Sequence, residues 1–227
     1  MYPISEIRAR FPSLERKVAG REAVFFDGPG GSQVPSSVID AMSDYLLRHN
    51  ANTGMSFATS LETDQVITEA LLACAEFIGC DDPKEIVFGQ NMTSLNFQLA
   101  SALSRTWGPG DEVVVTKLDH DANVGPWSLA AKWSGATLRK IDINREDCTL
   151  DMNSVNELIS DRTVLVAIGA ASNLSGTIND VSSIVEIAQR FGAEVVVDAV
   201  HFAPHSLIDV KKIGCDFLLC SPYKFFG

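Results

Sequence analysis

Short apolar runs alternate with longer stretches of helical periodicity along most of this chain. The runs predict strands over residues 24–27, 86–88, 112–116, 137–141, 163–168, 194–198 and 215–220. The periodic stretches predict helices over residues 4–10, 38–48, 61–78, 92–106, 124–133, 152–160 and 181–191. Strands that alternate with helices form parallel sheets through right-handed crossovers. We therefore expect an α/β fold in which a mostly parallel sheet carries helices on both faces.

Composition narrows the functional classes. The chain has 227 residues, of which 46% are hydrophobic, and this is enough for the core of one large domain. A net charge of −11 argues against nucleic acid or an anionic membrane as the main partner. The five cysteines form no CxxC pair and no metal-ligand spacing, so no metal site is predicted. An odd number of cysteines without a leader sequence or a membrane-length apolar run favours the cytoplasm.

Two of the predicted strands end in residues of complementary chemistry. Strand 194–198 ends at Asp198, and strand 215–220 leads into Lys224 three residues after Ser221. Ligands of α/β sheets bind outside the carboxyl ends of the strands. Pyridoxal 5′-phosphate (PLP) needs a lysine for its Schiff base and an acidic partner for its ring nitrogen. The alternatives are a surface lysine and a helix-capping aspartate, although a carboxylate that ends an apolar strand is costly without a partner.

The sequences VDAVH at 197–201 and SPYK at 221–224 resemble the cofactor signature of fold-type I, class V PLP-dependent enzymes. Within that group the chain is most similar to the cysteine desulfurase-like branch, and the resemblance extends over nearly its whole length. It implies an N-terminal arm over residues 1–20 and the PLP-binding large domain over residues 21–227. In this family another strand and a small C-terminal domain follow the lysine, so we expect the chain to be the front part of a longer protein.

The resemblance assigns roles to three residues around the cofactor ring. Lys224 would form the Schiff base, and Asp198 would hold the pyridinium nitrogen protonated. His201 stands where many relatives place a glutamine against the phenolic oxygen of PLP. An imidazole can fill that position, but it changes the proton balance there.

Two further motifs match the family pattern. The sequence KLDHDAN at 117–123, with PW at 126–127, makes His120 the ring that stacks on the cofactor and passes protons. The sequence ASNLSGT at 171–177 places Asn173 near the phenolic oxygen and the substrate carboxylate. The alternatives are a loop histidine bonded to the backbone and a turn-forming asparagine.

The phosphate of PLP needs donors and a helix N-terminus. The resemblance implies that Thr93 and the backbone N–H of Met92 bind it at the start of the helix over 92–106. Ser221 and Tyr223 occupy the two other phosphate positions. Relatives usually carry a histidine at the second of these, but a phenol can still donate one hydrogen bond.

The implied reaction converts cysteine to alanine and transfers the sulfur as a persulfide. The substrate would be a small amino acid, and the expected partners are a second copy of the chain in a homodimer and a sulfur-acceptor protein. The nucleophilic cysteine and the substrate-binding arginine of desulfurases lie downstream of the cofactor lysine, outside this chain. A β-lyase, an aminotransferase and a truncated non-catalytic module remain alternatives. A nucleotide-binding loop at 28–31 is a further alternative, but it lacks the P-loop lysine and the GxGxxG spacing.

Overall fold

The computed structural model describes residues 2–227 and divides the chain into two compact units. The first unit consists of the chain up to Phe77 together with Asp81–Val87 and Pro222–Gly227. The second unit consists of Ile78–Cys80 and Phe88–Ser221.

The described part of the first unit contains three α-helices and a short antiparallel hairpin: α1 (Ile4–Arg8), β1 (Lys17–Val18), β2 (Arg21–Glu22), α2 (Ser36–Arg48) and α3 (Ala58–Ile78), whose last residue belongs to the second unit. The strand predicted over 24–27 is wrong, and so is the strand predicted over 86–88. Phe26 is 95% exposed and Val87 is 73% exposed. Apolar runs become strands only where a neighbouring backbone pairs with them and their side chains are covered, and neither condition holds here.

The second unit alternates strands with helices along the sequence. Its elements are α4 (Met92–Leu103), β3 (Glu112–Thr116), α5 (Gly125–Ser134), β4 (Thr137–Ile141), α6 (Met152–Leu158), β5 (Thr163–Gly169), α7 (Val181–Arg190), β6 (Glu194–Asp198), α8 (Val210–Ile213) and β7 (Phe217–Leu219). The sequence predicted nine of these ten to within a few residues at each end. The exception is α8, a four-residue helix with no apolar periodicity to reveal it.

The five strands form one parallel sheet in the order β4-β3-β5-β6-β7. Valine-rich runs suit this sheet because parallel strands are buried on both faces. The register pairs Gly169 at the end of β5 with Asp198 at the end of β6. The carboxyl ends of the strands therefore meet along a single edge, which we call the carboxyl edge.

Two hydrophobic clusters cover the two faces of the sheet. Val114, Val166 and Val195 belong to the cluster that contains the buried faces of α6 and α7. Val113 and Leu165 belong to the cluster that contains α4 and α5. Successive strand residues thus point into different clusters, as the pleat of a β-strand requires. The predicted α/β fold, with helices on both faces of a parallel sheet, is confirmed.

Candidate active site

The carboxyl edge of the second unit carries most of the predicted site residues. Asp198 is the last residue of β6, and Ser221 follows β7 by two residues. His120 follows β3 by four residues, and Asn173 follows β5 by four residues. Because these strands are parallel neighbours, their following residues emerge on the same side of the sheet.

Asp198 is a buried acid at this edge, with only 8% of its surface exposed. Its Oδ1 accepts a hydrogen bond of 2.9 Å from the backbone N–H of Val200. A buried carboxyl is stable only with donors or cations around it. Its position as the last residue of β6 agrees with the strand predicted over 194–198.

The N-terminus of α4 lies against the end of β7. The backbone N–H of Met92 donates to Ser221 Oγ over 3.1 Å, and Ser221 is 1% exposed. Asn91 caps the helix, since its Oδ1 accepts from the N–H of Ser94 at 2.9 Å. Thr93 is exposed in the first turn. An exposed threonine hydroxyl and a serine hydroxyl therefore lie at the N-terminus of α4, which is the positive end of the helix dipole.

His120 lies just before a short 3₁₀ helix, Asp121–Asn123, and its ring caps that helix. The backbone N–H of Ala122 donates to Nδ1 of His120 over 3.0 Å. Nδ1 must therefore carry a lone pair, so the neutral ring bears its proton on Nε2. The ring is exposed, in agreement with a residue that contacts a ligand.

Asn173 and His201 lie in the turns that follow β5 and β6. The Asn173 loop is closed by a bridge between Ala171 and Ile178, and Gly176 within it has a φ of 73°. A left-handed residue of this kind favours glycine. Asn173 thus has the turn setting that the sequence suggested, and both it and His201 are partly buried.

A hydrogen-bonded cluster of the half-buried Asp119 and the buried Asn123 lies beside His120 and was not predicted from the sequence. The Asp119 carboxyl accepts from Asn123 Nδ2 and from the backbone N–H of Gly169, each at 3.0 Å. Burial raises the pKa of Asp119 to about 7, although these two hydrogen bonds act in the opposite direction. The only available signal in the sequence was the position of this carboxylate three residues after the end of a strand.

Lys224 and Tyr223 belong to the first unit and form a short 3₁₀ helix, Pro222–Lys224. The Lys224 amine donates to the carbonyl oxygen of Pro29 and lies 5.5 Å from the centre of the Tyr223 ring. The turn at 28–31 uses the N–H groups of Gly30 and Gly31 for its own hydrogen bonds. It therefore presents a carbonyl to an amine, which does not favour its interpretation as a phosphate-binding loop.

Cys215 in the second unit does not have the environment of a nucleophile. Burial raises the pKa of Cys215 to about 11, so its thiol stays protonated at neutral pH. Across residues 2–227, no group of three or more histidine, cysteine or acidic side chains is arranged to hold a metal ion. Within the same residues, every helix is too short or too polar to cross a membrane.

Comparison with known proteins places this geometry in a family. The model of the aminotransferase class-V family matches residues 24–227. The chain belongs to the aminotransferase class-V family. Membership implies PLP as the cofactor.

Relatives of this family member include a probable cysteine desulfurase from Halalkalibacterium halodurans, which is 39% identical over 98% of the chain and 55% of the relative. An aminotransferase-like protein from Gibberella zeae is 36% identical over 100% of the chain and 56% of the relative. Among solved structures, the apo cysteine desulfurase from Thermococcus onnurineus NA1 gives a TM-score of 0.89 at 30% identity, over 99% of the chain and 54% of that structure. The chain thus spans about half the length of the relatives it matches.

The donor set at the carboxyl edge fits PLP. A buried carboxyl suits the pyridinium nitrogen, and hydroxyls beside a helix N-terminus suit the phosphate. Asp198 supplies the first group, and Thr93 and Ser221 supply the second.

Proposed function

We propose that this protein is part of a PLP-dependent enzyme that acts on a small amino acid in the manner of a cysteine desulfurase, converting cysteine to alanine and persulfide sulfur. The observation that carries the proposal is the pairing, at one sheet edge, of the buried Asp198 carboxyl with the serine-bonded N-terminus of α4. This pairing matches the two charged ends of PLP, and the similarity to desulfurases supplies the reaction.

Lys224 is the proposed attachment point for the cofactor, and Asp198 the proposed partner of its ring nitrogen. When bound, PLP supplies an electron sink for the carbanion formed at Cα of the amino acid. Asp198 favours a protonated ring nitrogen because a buried carboxylate stabilises a nearby cation. Once released from the cofactor, the Lys224 amine would remove the Cα proton.

His120 is proposed to lie against the face of the cofactor ring. With Nδ1 engaged by Ala122, its neutral ring can offer a proton only from Nε2. Asn173 and His201 are proposed to face the phenolic oxygen, where an amide or imidazole N–H donates to a developing negative charge.

The phosphate is proposed to bind Thr93 and Ser221 at the start of α4, and Tyr223 is proposed as a further phosphate ligand. In this structure the Met92 N–H donates to Ser221 Oγ. Ser221 can therefore turn its own hydroxyl proton toward a phosphate while it accepts from Met92, and Met92 would act through it.

We propose a homodimer in the cytoplasm and a sulfur-acceptor protein as the partners of the complete protein. The division into an arm over residues 1–20 and a PLP-binding domain over residues 21–227 is part of the same proposal. Acidic net charge gives the chain no electrostatic attraction to nucleic acid.

The first test is covalent labelling of the purified chain. Addition of PLP should produce a visible absorbance band, and borohydride reduction followed by peptide mapping should locate the label on Lys224. Lys224→Ala should lose both the band and the label because no other amine is expected to form the adduct. Lys132→Ala removes an exposed lysine of α5 and should keep both. A label that persists in Lys224→Ala would contradict the assignment.

A second candidate reaction is amino-group transfer, because the relative from Gibberella zeae is an aminotransferase-like protein. Incubation of the PLP-loaded chain with cysteine distinguishes desulfuration from amino-group transfer. Alanine and reducible sulfur indicate desulfuration, whereas a keto acid and the amino form of the cofactor indicate transfer. A labelled chain that forms neither product would indicate that turnover needs the nucleophilic cysteine and the substrate-binding arginine that desulfurases carry downstream of the cofactor lysine. Absence of both products from the complete PLP-loaded protein would support a non-catalytic PLP-binding module.

A further inference from the structure

A chain of side-chain hydrogen bonds lies beneath the segment that carries His120. It consists of Asn96, Asn123, Trp127, Asp119 and Gly169, and we call it the Asp119 network. All five residues belong to the second unit. Asn96, Asn123 and Trp127 are fully buried, so water cannot replace the bonds among them at low cost.

The direction of each hydrogen bond in the Asp119 network is fixed by chemistry. Trp127 Nε1 can only donate, and its partner at 3.4 Å is Asn123 Oδ1. The Ala122 carbonyl can only accept, and Asn96 Nδ2 donates to it over 2.8 Å. Asn96 Nδ2 also lies 3.2 Å from Asn123 Oδ1. Asn123 must therefore present its NH₂ group to Asp119.

Asp119 is the acceptor at the end of this chain of donors. It receives Asn123 Nδ2 at Oδ2 and the N–H of Gly169 at both oxygens. A carboxyl group can accept at both of its oxygens, whereas an amide would turn an NH₂ group toward one of the two donors. An asparagine would therefore fit poorly at position 119.

Gly169 permits the approach of Asp119 to β5. A Cβ atom at this position would lie 2.8 Å from Asp119 Oδ1, which is closer than real contacts allow. The absence of a side chain at the end of β5 thus lets the Asp119 carboxyl reach the strand backbone.

The Asp119 network holds His120 from both sides. Asp119 precedes the histidine and is tied to β5, while Asn123 follows it and is tied to α4 and α5 through Asn96 and Trp127. Between these anchors, the Ala122 N–H fixes the ring through Nδ1. The exposed ring is therefore oriented by buried and half-buried neighbours that do not belong to the predicted cofactor-binding set.

We propose that Asp119 is a positioning residue that, by joining the His120 segment to the backbone of Gly169, fixes the orientation and the tautomer of the His120 ring. The proposal rests on the proposed function in one respect only, namely that the oriented His120 ring lies against the face of PLP. The orientation itself can be measured without cofactor.

The test compares ring ¹⁵N chemical shifts of His120 in the cofactor-free chain at pH 8, with assignment by His120→Gln. The unaltered chain should show the Nε2–H tautomer, since Nδ1 accepts from Ala122. Asp119→Ala should shift the ring toward a mixture of tautomers, and Asp119→Glu, which retains the carboxyl, should restore the original signal in large part. Asp121→Asn removes the exposed acid of the same segment and should leave the signal unchanged.

Gly169→Ala disturbs the contact between Asp119 and β5 from the side of the strand, so it should give the same mixture of His120 tautomers as Asp119→Ala. If circular dichroism shows that Asp119→Ala does not fold, Gly169→Ala replaces it in the test. A mixed tautomer in the unaltered chain would overturn the proposal without any variant. An unchanged His120 signal in Asp119→Ala or Gly169→Ala would also overturn it.

With PLP, Asp119→Ala should raise the dissociation constant of the cofactor roughly tenfold, because a charge-assisted hydrogen bond supports one wall of the site. Asp121→Asn should leave it unchanged. A chain that binds no PLP at all would contradict the proposed function, whereas the tautomer measurement would still decide the role of Asp119. An unaltered PLP affinity in Asp119→Ala would contradict the link between the positioning role of Asp119 and cofactor binding.

Discussion

At the scale of single residues, Asp119 combines two opposing influences. Burial, together with the nearby charge of Asp198, favours the protonated acid, whereas hydrogen bonds from Gly169, Thr116 and Asn123 favour the carboxylate. Burial dominates, and the pKa of Asp119 rises from its ordinary value of 3.8 to about 7. The folded chain therefore holds a proton at Asp119 in a pH range where the unfolded chain has released it.

This difference predicts a pH dependence of stability. Because the folded pKa is raised, the contribution of Asp119 is fully present below pH 4 and is lost as the pH rises to about 7. The change is on the order of a few kcal/mol. Asp119→Asn cannot titrate, so the stability difference between the original chain and this variant should decrease from pH 4 to pH 7 and stay constant above it. Urea unfolding followed by tryptophan fluorescence measures this difference.

Asp121→Asn is the matched control. The difference in the free energy of unfolding between this variant and the original chain should not decrease from pH 4 to pH 7. If the stability difference between the original chain and Asp119→Asn instead increases with pH, the raised pKa of Asp119 is contradicted.

Sequence motifs identified Asp198, His120 and Ser221 because these residues end or follow apolar strands, and the structure places all three at the carboxyl edge. Asp119 escaped notice for a physical reason. Its partner Gly169 is 50 residues away, and the two meet only because β3 and β5 are neighbours in the sheet. The order of strands cannot be read from hydrophobic periodicity.

At the scale of elements, ion pairs join the start of β3 to β4 and to the residue before β5. Glu112 at the start of β3 is buried, and its Oε1 accepts from Arg139 of β4 at 2.9 Å. The same oxygen lies 3.0 Å from Arg162, which precedes β5. Both arginines are partly exposed, so the pairs are worth less than fully buried ones.

Glu112→Gln should destabilise the second unit by about 1–2 kcal/mol, because it leaves two guanidinium groups beside a neutral side chain. Chemical unfolding followed by circular dichroism measures the loss. Glu157→Gln, an exposed glutamate on α6, should change stability by less than about 0.5 kcal/mol. Equal losses in the two variants would show that the arginine pairs contribute nothing.

The strands were predictable where their sequences are apolar on both faces. The predicted bounds of β3 and β6 match the structure, and all residues of β3 are buried. The runs at 24–27 and 86–88 have similar composition, yet they form no strand. Composition describes the side chains, whereas a strand also depends on a backbone partner that the local sequence does not reveal.

At the scale of the whole molecule, burial is unevenly distributed between the units. Both hydrophobic clusters lie in the second unit. Among the described residues of the first unit, only Ser60, Thr63 and Ala75 are buried. Few buried apolar contacts indicate low local stability. Lys224 belongs to this less buried unit.

Hydrogen exchange measured by mass spectrometry should therefore separate the units. Amides of β5 and β6 should exchange at least about a hundredfold more slowly than those of α2, relative to unstructured reference rates, because they open only with the buried core. Equal protection of α2 and β5 would contradict this expectation and would indicate that the units unfold together.

The first unit is built from separated parts of the chain, since it includes Pro222–Gly227 as well as the N-terminal residues. During synthesis, at about 5–20 residues per second, the ribosome produces the N-terminal part of this unit first, the five described strands of the sheet next and Pro222–Gly227 after them. Every residue of the second unit is therefore synthesised before the first unit has all of its parts. The first unit is consequently the later of the two to be completed.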